Sequence, residues 1–252
     1  MADKVSRDKI RLDQLLVQRG MAESREKAKA MIMAGEVDVD GLKADKSGHL
    51  YSSTSSITLK KSPHSYLSRG GLKLEAALDH FLIDVKGLTL LDIGASTGGF
   101  TDCLLRRGAL KVIAVDVGYG QIHWRLRKDP RVRILEKTNA RHLTPKDIGE
   151  DVNGAVIDVS FISLKLVVPP ISRLLLDNSF IVALIKPQFE AGKRRVGKGG
   201  VVRDPSVHSE VIASLGGFFK DQGWNVAGCI PSPILGPKGN REFLVYMKRG
   251  SV

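Results

Sequence analysis

From Leu88 onward the chain alternates short apolar runs with helix-compatible stretches, and this alternation limits the folds open to it. "LTLLDIG", "KVIAVDV", "RVRILEK", "GAVIDVS" and "SFIVALIK" are short and rich in β-formers. Between them lie segments such as "GGFTDCLLRRG" and "SLKLVVPPISRLLLD", which suit helices. Parallel strands need a crossover of a dozen or more residues, usually a helix, so the pattern predicts a doubly wound α/β sheet. Phe180 to Ile185 is apolar at every position, as expected of a strand covered on both faces. Near the C-terminus "WNVAGCIPSPI" and "REFLVYMKR" are only a loop apart, too close for a helical crossover. They are expected to pair as an antiparallel hairpin at the sheet edge.

The N-terminal part follows another pattern. "IRLDQLLVQRG" places Leu12, Leu15 and Leu16 on one helical face and ends at Gly20, a C-terminal cap. In "ESREKAKAMIMAG" Ser24 suits an N-cap, Glu26 the first turn and Gly35 the stop. "EVDVDG" alternates with period two and turns at Asp40-Gly41, a hairpin signal. Arg7, Lys9, Arg11, Arg25, Lys27 and Lys29 crowd the two helices. A solvated helical face would explain the charges alone, but the order of elements adds to them. "RLDQLLVQRG" through "SREKAKAMIMAGEVDVDG" resembles the S4 RNA-binding domain, whose two helices and adjoining hairpin dock on structured RNA. "LKKSPHSYLSRGG", with Pro63, several serines and Gly70-Gly71, reads as a joint rather than an element. The expected division is an α+β domain over residues 1–60, a linker over 61–69 and an α/β domain over 70–252.

Charge narrows the partner. A formal net charge of +12 on 252 residues favours a polyanion, nucleic acid or an anionic membrane. No apolar run approaches the roughly 20 residues that span a bilayer. "MADKVSRDKIRLDQ" lacks the apolar core of a secretory signal. Cys103 and Cys229 are too few for a disulfide framework or a cysteine zinc site, so no metal is expected. The sequence is that expected of a soluble, cytoplasmic protein facing nucleic acid.

"LLDIGASTGGF" is a strand, a glycine loop and a helix start, where glycines let the backbone approach a ligand and the helix N-terminus favours anionic groups. The spacing Gly94-x-x-x-Gly98-Gly99 is not a P-loop, and Ser96 stands where G-x-G-x-x-G has its second glycine. Asp116, 24 residues after Asp92, follows the second strand, where a carboxylate can accept both hydroxyls of a ribose. The alternative role for Asp116 is a helix N-cap.

Asp92-Ile93-Gly94-Ala95-Ser96-Thr97-Gly98-Gly99-Phe100 resembles the S-adenosylmethionine loop of FtsJ-like RNA 2′-O-methyltransferases. Together with the S4 pattern, "DVSFISL" and "KPQFE…VGKGGVVRD", the chain resembles the TlyA family of ribosomal RNA ribose methyltransferases from about residue 7 to residue 248. The resemblance implies a Rossmann-like methyltransferase sheet and S-adenosylmethionine as cofactor. It implies a target cytidine in ribosomal RNA, either in 23S rRNA alone or in 16S rRNA as well. It places Asp116, with Val117 beside it, on the adenosine ribose and Asn139, in "KTNARHL", near the adenine edge. FtsJ itself commonly has an aspartate where this chain has Asn139.

The strand ends argue against methylation of a base. Attack through C5 of a pyrimidine needs a cysteine, and neither cysteine falls at the fourth or fifth strand end. Exocyclic amino methylation usually carries Asn/Asp-Pro-Pro-aromatic after the fourth strand, where this chain has Asp158-Val159-Ser160-Phe161. Lys73, Asp158, Lys186 and Glu242 match in chain order the Lys-Asp-Lys-Glu set that FtsJ-like enzymes hold around the ribose hydroxyl. A ribose hydroxyl is a poor nucleophile, so a lysine able to take its proton has a clear use. After Lys186, Pro187 ends the strand and a glycine-rich run follows. Lys193, Arg194, Arg195, Lys198 and Arg203 there are expected to meet RNA phosphates. Two other readings are an RNA-binding assembly factor with a vestigial catalytic domain and, from the family's older name, a membrane-lytic haemolysin.

Overall fold

Lys9–Arg11 forms a short strand, β1, that runs directly into helix α1 (Leu12–Gln18). The structure, a computed structural model, describes residues 9–22, 24–33, 35–59 and 66–249, and the chain divides into two units, Met1–Ser65 and Tyr66–Val252. Arg7 and Pro63 lie outside the described residues.

In the first unit α1 is followed by α2 (Arg25–Met33), β2 (Val37–Val39), β3 (Leu42–Lys43), β4 (Leu50–Ser52) and β5 (Ile57–Leu59). Ser24 Oγ accepts from Lys27 N (3.2 Å), the capping bond expected of it. Asp40 (φ 52°) and Gly41 (φ 80°) take the paired left-handed geometry of a tight hairpin turn between β2 and β3. Leu12, Leu16, Ala28, Ile32, Val37 and Val39 form one small core. Lys9 and Arg11, expected on the helices, belong instead to β1, which pairs antiparallel with β4. That pairing joins segments far apart in sequence and leaves no local signal. Arg11 and Arg25 both bind the buried Asp13, at 2.9 and 3.2 Å. The Arg11 fork, more than any other contact, lowers the Asp13 carboxyl to about 2.

The second unit starts earlier than the sequence suggests. Tyr66, expected in the linker, is 5% exposed, and its hydroxyl donates to Glu75 (2.6 Å). Leu67 N donates to Asp102 (2.9 Å), so this stretch is anchored at both ends. Gly70 and Gly71, which read as a joint, open helix α3 (Gly70–His80). Gly71 is required there because a Cβ would run into the Tyr66 ring.

The remaining elements are β6 (Thr89–Ile93), α4 (Gly99–Arg106), β7 (Lys111–Val115), α5 (Trp124–Arg127), β8 (Val132–Leu135), α6 (Pro145–Ile148), β9 (Gly154–Ile157), α7 (Leu164–Ser172), β10 (Phe180–Ile185), α8 (Pro187–Glu190), α9 (Pro205–Asp221), β11 (Asn225–Pro231) and β12 (Phe243–Lys248). Seven strands form one sheet in the order β11-β12-β10-β9-β6-β7-β8. β8, β7, β6, β9 and β10 are parallel, while β12 runs antiparallel between β10 and β11. The expected hairpin therefore exists, with β11 at the edge and β12 inside.

Strand periodicity divides the core. Leu91, Ile93, Ile113, Ala155, Ile157 and Ile181 face α7 and α9, packing with Val168, Ile171, Leu215 and Phe219. Leu90, Val112, Ala114, Val156, Val182 and Leu244 face α3 and α4, packing with Leu74, Leu78, Phe100 and Leu104. Full burial of each such large side chain contributes roughly 1.5–3 kcal/mol, which is why strands covered on both faces read as unbroken apolar runs. Order reverses between β6, followed by β7, and its other neighbour β9, so the crevice past their carboxyl ends is where α/β folds bind ligands.

Candidate active site

The glycine loop leaves β6 and curls against the end of β9. Gly94 (φ 84°) has no room for a side chain, since a Cβ would collide with the Asp158 carbonyl. Ser96 (φ 49°) and Gly98 (φ 93°) also take the left-handed region, which turns the chain into α4. Asp116 directs the same loop from β7. Its Oδ2 accepts from Ser96 N (2.8 Å) and its Oδ1 from Gly118 N (2.7 Å). A carboxylate oxygen has two lone pairs, so these bonds orient Asp116 and leave it able to accept further hydrogen bonds.

Two pockets flank this loop. One, about 480 Å³, runs over Gly94, Ser96, Asp116, Val117, Asn139 and Asp158, reaching Phe161. The other, about 390 Å³, is walled by Lys73, Gly94, Ala95, Ser96, Thr97, Gly99, Phe100 and Asp158. Gly94, Ser96 and Asp158 are common to both. Of the expected cofactor residues, Asp92 and Gly98 line neither. Asp92 is 0% exposed, one residue back from the strand end, and its Oδ2 accepts from Thr101 Oγ1 (2.6 Å). Burial, reinforced by Asp158 and Asp116, raises its carboxyl to about 7. Gly98 abuts Leu126 and sets the turn. Both residues shape the loop from behind. Asn139 reaches the pocket rim but uses Oδ1 to cap its own turn at Arg141 N (3.1 Å).

The four residues expected to do chemistry form two ion pairs. Lys73 Nζ lies 2.5 Å from Glu242 Oε2, and Lys186 Nζ lies 2.6 Å from Asp158 Oδ1. Lys73 and Lys186 are each 8% exposed and Glu242 2%, so Glu242 is no solvated edge residue. Lys186 directs a hydrogen bond at Ser160 Oγ (2.8 Å). Asp158 Oδ1 is thus close to the ammonium without an aligned hydrogen bond, and Asp92 Oδ1 and Glu242 Oε1 are likewise buried without one. Of these, only Asp158 lines the two pockets at the glycine cradle, and its carboxylate suits a ligand bearing positive charge.

A third pocket, about 400 Å³ and mainly apolar, lies beyond Lys186 and is lined by Phe161, Phe189, Val196 and Lys238 among others. Phe161 is 89% exposed with φ 64°, a strained conformation for an aromatic residue, and its ring lies 4.9 Å from that of Phe189. Ser160, Phe161, Phe189 and Lys238 were not among the residues expected from sequence. The available signal was "DVSF", which places an aromatic just past the strand end beside Asp158.

The cationic run after Lys186 is more ordered than its glycines suggest. It contains the short helix α8, a 3-10 turn over Lys193–Arg195 and a bridge between Gly197 and Val201. Lys193, Arg194, Lys198 and Arg203 are exposed, whereas Arg195 is ion-paired with Glu210 of α9. In the first unit Lys9 and Lys29 are exposed, while Arg11 and Arg25 are committed to Asp13.

Comparison with known proteins accords with this geometry. Residues 66–249 match the FtsJ-like methyltransferase family and residues 10–54 the S4 domain. YqxC of Bacillus subtilis, provisionally named an rRNA methyltransferase, is 50% identical over 95% of this chain and 85% of its own. The 16S/23S rRNA (cytidine-2′-O)-methyltransferase TlyA of Mycobacterium tuberculosis is 47% identical over 94% of this chain and 89% of its own. A solved structure from Streptococcus thermophilus, provisionally named a hemolysin, superposes with a TM-score of 0.75 at 44% identity, covering 98% of this chain and 90% of that one. The glycine loop, the seven-stranded sheet and these matches agree: the chain belongs to the FtsJ-like methyltransferase family and carries an S4 domain ahead of its methyltransferase domain.

Proposed function

We propose that this protein transfers a methyl group from S-adenosylmethionine to the ribose 2′-hydroxyl of a cytidine in ribosomal RNA, acting in the cytoplasm on rRNA or a ribosomal subunit. The observation that carries the reading is the pair of buried lysine–carboxylate contacts, Lys73–Glu242 and Lys186–Asp158, set against the glycine-loop crevice. The name of the similar TlyA protein points to the same activity and substrate, and that of YqxC to methylation of rRNA.

The residues fit the cofactor. Asp116 would hold the ribose hydroxyls, Val117 and Asn139 the adenine side, and Gly94 to Gly99 the remainder, with Asp92 and Phe100 supporting the loop from the core. When bound, S-adenosylmethionine supplies an electrophilic methyl group on a sulfonium. The chain's own residues do the rest. Phe161 and the apolar pocket beside Lys186 would receive the acceptor nucleoside, placing its hydroxyl by Lys186 Nζ. Lys186, which must enter the step as the neutral amine, takes the hydroxyl proton as the O–C bond forms and the methyl–sulfur bond breaks. Asp158 holds Lys186 in place and stabilises the ammonium it becomes, and Glu242 holds Lys73. Much of the rate comes from holding two substrates in line. Lys9, Arg11, Arg25 and Lys29 of the S4 domain, and Lys193, Arg194, Arg195, Lys198 and Arg203, would contact RNA phosphates.

The lytic alternative finds no support in the structure: among the described residues no helix is long and apolar enough to cross a membrane. The deciding experiment incubates the protein with ribosomal subunits and methyl-labelled S-adenosylmethionine, then hydrolyses the RNA in alkali. A 2′-O-methyl group blocks cleavage, so label should appear in alkali-stable dinucleotides containing cytidine. Label in mononucleotides would overturn the ribose assignment, and no transfer would favour an RNA-binding assembly factor.

A further inference from the structure

Asn240 is 3% exposed and lines the apolar pocket beside Lys186, but its carboxamide is turned to the backbone. Its carboxamide joins three backbone positions. Oδ1 accepts from Val202 N (3.1 Å), while Nδ2 donates to Gly200 O (3.0 Å) and to Pro237 O (3.2 Å). Gly200 and Val202 close the cationic loop of residues 192–203. Pro237 belongs to the turn that leads into β12 and, two residues beyond Asn240, to Glu242.

The two sides of this junction differ in character. On the loop side, Lys193, Arg194, Lys198, Gly199 and Gly200 are exposed, and both glycines take positive φ (83° and 79°). On the other side Glu242 is held tightly. Its carbonyl accepts from Ser232 N (2.8 Å), and its Oε2 lies 2.5 Å from Lys73 Nζ. Gly236 is pressed so closely against the Glu242 carboxylate that a Cβ there would collide with it. Asn240 O in turn accepts from Gly236 N (2.8 Å). A displacement of Gly200 or Val202 is therefore passed to the segment that positions Glu242, through a side chain with both amide hydrogens engaged.

We infer that Asn240 is a positioning residue that couples RNA engagement by the 192–203 loop to the geometry of the Lys73–Glu242 pair. The inference rests on the methyltransferase reading above. Phosphates drawn to Lys193 and Arg194 fix the loop, the loop fixes Asn240, and Asn240 fixes the strand entry carrying Glu242. The Lys73–Glu242 pair is then set most firmly when RNA is present.

The test is a double-mutant cycle on the full chain, comparing the parent, Lys193→Ala/Arg194→Ala, Asn240→Ala and the combination. The readout is methyl transfer at saturating RNA and cofactor. Asn240→Ala should slow transfer about fivefold or more, within the coupling found for contacting residues, with cofactor affinity close to the parent's. The loop substitutions should slow the parent at saturation yet add little in the Asn240→Ala background. Asn240→Asp keeps the acceptor for Val202 N but sets a carboxylate oxygen against the Gly200 and Pro237 carbonyls, so it should slow transfer at least as much as Asn240→Ala. Losses that multiply across the cycle overturn the coupling while leaving the methyltransferase reading intact. So do Asn240 variants that lower cofactor affinity and melting temperature together. Absence of transfer in the parent overturns the methyltransferase reading, and this inference with it.

Discussion

Lys186 Nζ lies 2.6 Å from Asp158 Oδ1, across the carboxyl ends of two adjacent parallel strands, β10 and β9. The register pairs Ala183 with Ile157, so Asp158, the next residue, falls level with Leu184, two residues before Lys186. Neither strand alone makes the contact. Parallel pairing brings together residues separated by 28 positions, 186 less 158, and sets both at the cofactor crevice.

Lys186→Met should abolish most methyl transfer while both substrates still bind. The substitution keeps the aliphatic stem and removes the proton acceptor. General-base contributions are typically about 10²–10⁴-fold, and single-turnover methylation should fall in that range. Lys186→Arg should fail as well, because guanidinium keeps its proton. Lys73→Met should lose less. Transfer by Lys186→Met within a few-fold of the parent would assign the base role elsewhere.

Asp116→Ala should weaken S-adenosylmethionine binding through two losses at once. It removes acceptors for the ribose and frees Ser96 N and Gly118 N, which Asp116 holds at 2.8 and 2.7 Å. Hydrogen bonds to a charged group contribute roughly 1.5–3 kcal/mol each, so calorimetry should register at least a tenfold loss. Unchanged affinity in a folded variant would leave Asp116 with only its loop-holding role.

The salt dependence of RNA binding should separate the loop cations. Lys193 and Arg194 are exposed, whereas Arg195 is paired with Glu210. Replacing Lys193 and Arg194 with alanine should reduce the slope of log affinity against log salt by up to about 0.7–0.9 per lost phosphate contact. Arg195→Ala alone should change it less. Equal slopes for the double variant and the parent would remove the loop from the RNA interface.

Asp92 should make stability fall as pH rises. Burial lifts its folded carboxyl to about 7, above the ordinary carboxylate range. Between about pH 4 and pH 7 the unfolded chain has released this proton and the folded chain has kept it, so rising pH favours unfolding across that window. Asp92→Asn removes the titration. Its melting temperature relative to the parent should therefore be higher at pH 8 than at pH 5. A pH-independent difference would mean that Asp92 titrates normally in the folded state.

Local sequence carried much of this protein. The apolar runs announced the parallel strands because a strand covered on both faces must be apolar at nearly every position. Asp40-Gly41 announced its turn because only a few residues tolerate consecutive positive φ, and Ser24 announced a helix start for an equally local reason. The glycine loop and the four residues Lys73, Asp158, Lys186 and Glu242 were nameable from spacing and family resemblance.

Tertiary structure decided the rest. Which lysine pairs with which carboxylate depends on strand register and on α3 lying against the sheet, neither of which any local window contains. Tyr66 to Gly71 read as a joint because serine and glycine usually mark one, yet Gly71 is small to admit the Tyr66 ring. Arg11, Arg25 and Arg195 also gain partners that no local window shows, since folding brings Asp13 and Glu210 to them. Asn240 carried no signal in sequence, since its carboxamide becomes a junction only when the backbone at Gly200 and Val202 folds against the Pro237 turn. Spacing along a chain constrains local conformation through sterics and hydrogen bonding. Long-range partners are chosen by packing, which exists only in the folded state.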